Sequence, residues 1–174
     1  MKSYAFMALA VASLLSPIAS ASAQSMTDPQ IASIVVTANQ VDIDAGMLAT
    51  SKASNAEVKA FARQMVTGHT GVNKQATELV TKLKVTPENN STSRSLEAGG
   101  VENVKHLGAL EGAAFDKAYV DHEIAYHQQV LDAIDKTLIP GAKNADLRAL
   151  LVKVRPAFAA HLEHAKLLQS AMGK

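Results

Sequence analysis

Cysteine is absent from the 174 residues, and so is tryptophan. Without a thiol the chain has no disulfide, no thiolate metal site, no catalytic cysteine and no lipidated cysteine to tether it to a membrane. An excess of one charge is missing too. Lys and Arg number 17 against 16 Asp and Glu, and Lys2 belongs to the leader described below, so the remainder is formally neutral before its histidines. Neutralising nucleic-acid phosphates needs a basic surplus, which excludes nucleic acid as the main partner. Aromatics make up 4%. Beyond the leader they are Phe61, Phe115, Tyr119, Tyr126 and Phe158, too few for the girdles of a transmembrane β-barrel. There is no Gly-rich phosphate loop ahead of a helix and no assignable Ser/His/Asp set, so no enzyme is expected.

The one long apolar run lies at the N-terminus. Lys2 gives a positive start, Ala5 to Leu15 is apolar, and Ala21-Ser22-Ala23 before Gln24 has the small-x-small form of a cleavage site. Ser13, Ser16 and Pro17 break this run below the roughly 20 residues a membrane span needs. The expectation is a signal peptide over 1–23, export to the periplasm, and one helical-bundle domain over 24–174 with no transmembrane span.

Four long stretches of that domain carry apolar residues at three- and four-residue spacing, the pattern of helices with one buried stripe. The first runs from about Pro29 to Ser51, capped by Asp28, with Ile31, Ile34, Val35, Ala38, Val41, Ala45 and Leu48 inward. The second opens on the capping box Ser54-Asn55-Ala56-Glu57 and buries a face from Val58 to Leu83. Thr86 to Ser95 is polar and reads as the longest connection. Leu96 to Leu110, weakened by Gly99-Gly100 and Gly108, reads as a short or irregular piece lying across the bundle. The third long helix spans about Ala113 to Leu138 and stops at Pro140-Gly141. The fourth is capped by Asn144 and runs toward Met172, with Pro156 expected to kink it. Short connections make these an all-α, up-and-down four-helix bundle with an extra segment between the second and third long helices.

Histidines are the informative polar residues. His69 continues the line of Phe61, Met65 and Val72, with Gly68 and Gly71 flanking it. His127 lies among Val120, Ile124, Leu131 and Ile134, and His161 falls between Phe158 and Ala165. If the stripes share one core, three helices each send an imidazole inward. Asp44, on the line Val41–Asp44–Leu48 at the border of the first stripe, is the acid expected to join them, with Asp42 on the other flank. Such His and carboxylate sets suit zinc, iron, manganese or copper. Each histidine could equally bond a core carbonyl and bind nothing. Glu123 and His127, four apart, share a helix face and read as an orienting or surface pair. His122 and His127 resemble a zinc-protease motif with one residue too many, about 140° apart and unable to chelate one ion. No Glu-x-x-His occurs, so a di-iron carboxylate centre is not expected.

The block Ala53-Ser54-Asn55-Ala56-Glu57-Val58-Lys59-Ala60-Phe61-Ala62-Arg63-Gln64-Met65-Val66-Thr67-Gly68-His69-Thr70, then Phe115-Asp116-Lys117-Ala118-Tyr119-Val120 before His127, then Pro156 with His161, resembles the bacterial domain of unknown function 4142 family. The resemblance covers about Ile31 to Gln169. It implies an exported ferritin-like helical domain, in a family often labelled as outer membrane proteins, with no established reaction. Its histidines fall on His69, His127 and His161. One departure stands out: the family pattern has Asp immediately before the first histidine, where this chain has Gly68. The functional expectation is a helical bundle binding a divalent transition metal or small ligand through His69, His127, His161 and Asp44. The alternative is a non-catalytic structural or interaction protein of the cell envelope that docks a protein partner.

Overall fold

The computed structural model describes residues 26–173, and every regular element among them is helical. The expected leader lies outside the described residues. Helix α1 is Asp28–Lys52, α2 Ala56–Leu83, α3 Ser91–Gly108 and α4 Gly112–Ala133. A π-helical turn, Ile134–Leu138, and the three-residue α5, Ile139–Gly141, prolong α4, and α6 is Ala145–Met172. No helix among the described residues is long and apolar enough to cross a membrane.

Contacts between helix ends give the topology. Asn90 Nδ2 donates to the Gln30 carbonyl at the start of α1, and Lys52 at its far end reaches the Gly108 carbonyl. Helix α3 therefore runs alongside α1 in the same direction rather than across the bundle. Lys82 meets Asp146 while Gln64 meets His164, so α2 and α6 are antiparallel. With α3 counted, chain direction reverses at each connection. Among the four long helices α3 acts as the return crossover of a ferritin-like bundle.

The segment expected to be short or irregular is a regular helix of 18 residues, begun earlier by an Asn90–Ser93 capping box. Its glycines divide by surroundings. A Cβ on Gly99 would meet nothing within 4 Å, but one on Gly100 would stand 2.7 Å from Val41 Cγ2 and 3.2 Å from Val41 Cβ. Gly100 is the point at which α3 closes on α1. That closure, together with the bundle interior on its other flank, buries α1 on more than one side.

Two expected caps move by one residue, for one reason. Thr27, not Asp28, caps α1 through a capping box with Gln30, and Asn55, not Ser54, caps α2 by accepting from the amides of Glu57 and Val58. The displaced residues belong to a reciprocal clasp. Asp28 accepts from the amides of Lys143 and Asn144, at 2.8 and 2.9 Å, in the loop before α6. Asp116, buried on α4, accepts from the amides of Ser54 and Asn55, at 3.0 and 2.8 Å, and from the Ser54 hydroxyl, in the loop before α2. The two loops match in sequence, Ala53-Ser54-Asn55-Ala56-Glu57 and Ala142-Lys143-Asn144-Ala145-Asp146, and Asn144 caps α6 as expected. Each hairpin thus offers one carboxylate to the other's turn.

Proline shapes both later helices. The π-helical turn precedes Pro140, whose ring would crowd the carbonyl four residues back in a tight α-helix. Pro156 lies inside α6, where the expectation is a kink, and the helix is unbroken from Ala145 to Met172. Val152, whose carbonyl loses its i+4 donor to Pro156, is exposed, so water can serve it.

Apolar side chains form two blocks. One gathers Ile31, Val35, Val72, Leu131, Leu151 and Phe158, and the other Ala49, Phe61, Met65, Phe115, Tyr119 and Leu168. Between them lies the polar layer described next. The Gly100 contact gives a test of the α1–α3 packing by urea unfolding. Gly99→Ala should stabilise by about 0.5–1 kcal/mol through helix propensity, whereas Gly100→Ala should destabilise by about 1–3 kcal/mol through overpacking. Equal gains at both positions would show that α3 is not seated on Val41.

Candidate metal centre

The polar layer is assembled from four helices. Helix α1 supplies Asn39 and Asp42, α2 His69, α4 Glu123 and His127, and α6 His161, all buried. The three imidazoles form a near-equilateral triangle, with ring centroids 5.5 Å apart for His69–His127, 5.3 Å for His69–His161 and 5.5 Å for His127–His161. Asp42 Oδ2 lies 3.1 Å from His69 Nε2 and 3.6 Å from His127 Nε2, and Glu123 Oε2 lies 3.4 Å from His127 Nδ1. Phe158 covers the group, its ring 5.0 Å from that of His69.

Hydrogen bonds from outside the layer fix which nitrogens face into it. Asn39 Nδ2 donates to the Val35 carbonyl at 2.7 Å, so the amide oxygen is the atom 2.8 Å from His69 Nδ1. An amide oxygen only accepts, hence His69 Nδ1 carries the proton and Nε2 keeps its lone pair. His127 Nδ1 lies 3.0 Å from the Glu123 carbonyl and donates to it, which likewise frees Nε2. Orienting an imidazole through its second nitrogen is the device by which metal-binding histidines are held.

What remains is a set of buried polar atoms without partners. Both oxygens of Asp42, both of Glu123, Nε2 of His69 and of His127, and Nδ1 of His161 are buried with no hydrogen-bond partner. Buried polar atoms are almost always paired, because leaving one unpaired costs about 1–3 kcal/mol. Here several converge. The ligating atoms of His69, His127 and His161 lie within 4.8 Å of one another, as do those of Asp42, Glu123 and His127. A divalent cation would satisfy these lone pairs, and two ionised carboxylates would balance its charge in a medium that tolerates no net charge.

Burial governs the titration of every member. It pushes His69 down to about 2 and His127 to about 4, with neighbouring imidazoles adding to the effect, and lowers His161 too. It pushes Asp42 up to about 7 and raises Glu123 as well, where the Asp42 charge adds to the effect. Without a cation, burial favours the neutral form of each of these groups.

His69, His127 and His161 are brought together as the periodicity anticipates. Asp44 is not: it is exposed and accepts from Gln40 Nε2 at 2.8 Å. The correction is rotational. Asp42 lies on the line Val35–Ala38–Asp42–Ala45–Ala49, which faces the centre, and that line is obscured in the sequence because α3 buries a second side of α1. Glu123, expected as an orienting or surface partner of His127, is fully buried on the line Tyr119–Glu123–His127. Asn39 carries no spacing signal of its own, although it shares the buried side of α1 with Asp42.

Residues 14–168 match the family described as Domain of unknown function (DUF4142). A search among curated proteins returns no match. Among solved structures, "CopM in the Cu(II)-bound form" is similar, with a TM-score of 0.66 and 16% identity over 84% of this chain and 98% of that chain. At that identity the likeness shows a shared helical-bundle fold.

Asp42 offers a check on the layer without any metal. A folded-state value raised above the unfolded one means that its contribution to stability is complete below about pH 4 and is lost as pH rises toward 7. In chelator, Asp42→Asn should therefore gain on the wild type across that window, at about 1.4 kcal/mol per pH unit, and hold a constant advantage above it. Urea melts at pH 4, 6 and 8 read this directly, and a pH-independent difference would show that the carboxylate is already satisfied by the protein.

Proposed function

We propose that this chain, which belongs to the DUF4142 family, a domain of unknown function, binds a divalent transition-metal ion in its core. His69, His127, His161 and Asp42 are the ligands, with Glu123 beside them. The observation that carries this reading is the convergence of unpaired buried acceptors from four helices, each imidazole of His69 and His127 already oriented from behind. Nitrogen and oxygen donors without sulfur suit zinc, iron, manganese or copper, and among divalent ions of this series copper binds such donors most tightly. The similar CopM structure is a Cu(II)-bound form, which makes copper(II) the first ion to test here.

The enclosure of the layer supports holding or carrying the ion rather than turning over an organic substrate. The leader read over residues 1–23 supports a periplasmic setting. A docking role in the envelope has less behind it: the large apolar side chains left exposed among the described residues, Met47, Val101, Val152 and Leu167, are divided among α1, α3 and α6.

Equilibrium dialysis of the mature chain followed by elemental analysis should give one ion per chain. His69→Ala and His127→Ala should each lose at least about 100-fold in affinity, and Asp44→Ala should lose nothing. Absence of bound metal in the folded wild type after reconstitution would end this reading. Proton competition should come from the carboxyls rather than from His69 and His127, whose burial keeps them neutral well below pH 6. Affinity should accordingly fall below about pH 7, about tenfold per unit for each proton displaced, and calorimetry in buffers of different ionisation enthalpy should register proton release on binding. Pure imidazole competition, with affinity flat down to pH 6.5, would leave Asp42 and Glu123 outside the coordination sphere.

A further inference from the structure

An ion held in this layer must cross the bundle wall, and the wall is uneven. Asp42, His69, Glu123 and His127 are 0–2% exposed, whereas His161 reaches 7%. Phe158 covers one side of the triangle, and the Tyr126 hydroxyl, donating to the Ala38 carbonyl at 2.9 Å, closes the seam between α4 and α1. The seam between α2 and α6 is bridged by Gln64 with His164 at one level and by Gln75 with Lys153 at another, and Gly68 lies between those two bridges. Position 68 carries no side chain there, and a Cβ on it would stand 3.1 Å from His161 Cε1 and 3.4 Å from its Nε2. The half-buried Gly68 backbone thus lies over the edge of the most accessible imidazole of the layer. Nδ1 of the same ring is buried and has no hydrogen-bond partner. One turn farther along the seam, exposed His164 on α6 meets Gln64 on α2 at 3.1 Å, so imidazoles continue from the surface toward the centre.

We propose that the α2–α6 seam at Gly68, where bare backbone lies against the His161 ring edge, is the portal through which the ion enters and leaves, and that His161 is the first buried ligand it meets. The inference rests on the metal-binding reading above. Passage requires the His161 ring to swing or the seam to open locally, and the missing side chain at 68 leaves room for either. A methyl group at that position would wedge against the ring edge and hold it in place. A methyl at Gly71, three residues on and with nothing within 4 Å of its Cβ, would change the helix propensity of α2 equally without touching the route.

The test uses the metal-free mature chain and Cu2+ alone, with equilibrium dialysis for stoichiometry and Kd, stopped-flow absorbance for uptake, and transfer to excess chelator for release. Gly68→Ala and the bulkier Gly68→Val should slow uptake and release alike, by about tenfold or more, while stoichiometry and Kd stay at the wild-type values. Gly71→Ala should match the wild type in both rates. Thermal melts confirm that each variant is folded, and Gly68→Ala, which adds one methyl against a movable side chain, keeps the test available if Gly68→Val unfolds. Wild-type rates in the Gly68 variants would overturn the portal while leaving the metal centre intact. A weakened Kd with unchanged uptake would also overturn it, making Gly68 a positioning residue for His161. A wild type that takes up no ion at equilibrium would remove the metal centre, and the portal with it.

Discussion

Two carboxyls and three imidazoles buried in one layer of a helical core are the condition to which the rest of the molecule answers. Each group is expensive to desolvate, and helices alone offer it no backbone donors, since their amides are already used. The layer survives because it is thin and bounded on both sides by dense apolar blocks, with Leu151, Leu131 and Phe158 on one side and Phe61, Met65 and Phe115 on the other. Those blocks fix the rotation of four helices closely enough that side chains from all of them meet. The reciprocal contacts of Asp28 and Asp116 with the opposite turns then fix the axial position of one hairpin against the other. Rotation and register together bring Asp42 and His127 onto the same point.

The layer is also polarised in a definite sense. Donors point outward from it: His69 to Asn39, Asn39 onward to Val35, His127 to the Glu123 carbonyl. The lone pairs of His69 Nε2 and His127 Nε2 point inward. An interior arranged only for packing would reverse some of these bonds or replace the acids with amides of similar shape, because an apolar or neutral core is at least as stable as one holding unpaired acceptors. The layer also gives Gly68 a meaning. A side chain at that position would press on the edge of His161.

Legibility of the fold in the sequence varies with how many sides of each helix are covered. In α6, which is covered along one face, the stripe from Leu147 to Leu168 reads directly from the spacing and includes His161. His69 and His127 are legible for the same reason. Helix α1 is harder, because α3 packs on one side and the bundle on another, so nearly every line along it is buried and spacing alone does not separate Asp42 from Asp44. Helix α3 reads as weak from its glycines, since propensity counts Gly100 as a defect while the structure uses it to admit Val41. Cap positions slip by a residue because Asp28 and Ser54 serve long-range partners that no local motif reveals.

The clasp between the hairpins bears on how the chain assembles. Asp28 closes a contact across 115 residues, and Asp116 reaches back 61 residues to Asn55. Such contacts form late, after each hairpin has zipped locally, because distant segments must first be brought together against chain entropy. Neither turn is complete until the opposite hairpin arrives, which ties the two halves into one cooperative transition. The relation is reciprocal, so a hairpin from a second copy carries the same carboxylate and the same turn. The bundle is therefore built on an interface that two chains can exchange without inventing a new contact, and the length and rigidity of α3, the tether between the halves, decide whether the clasp closes within one chain or between two.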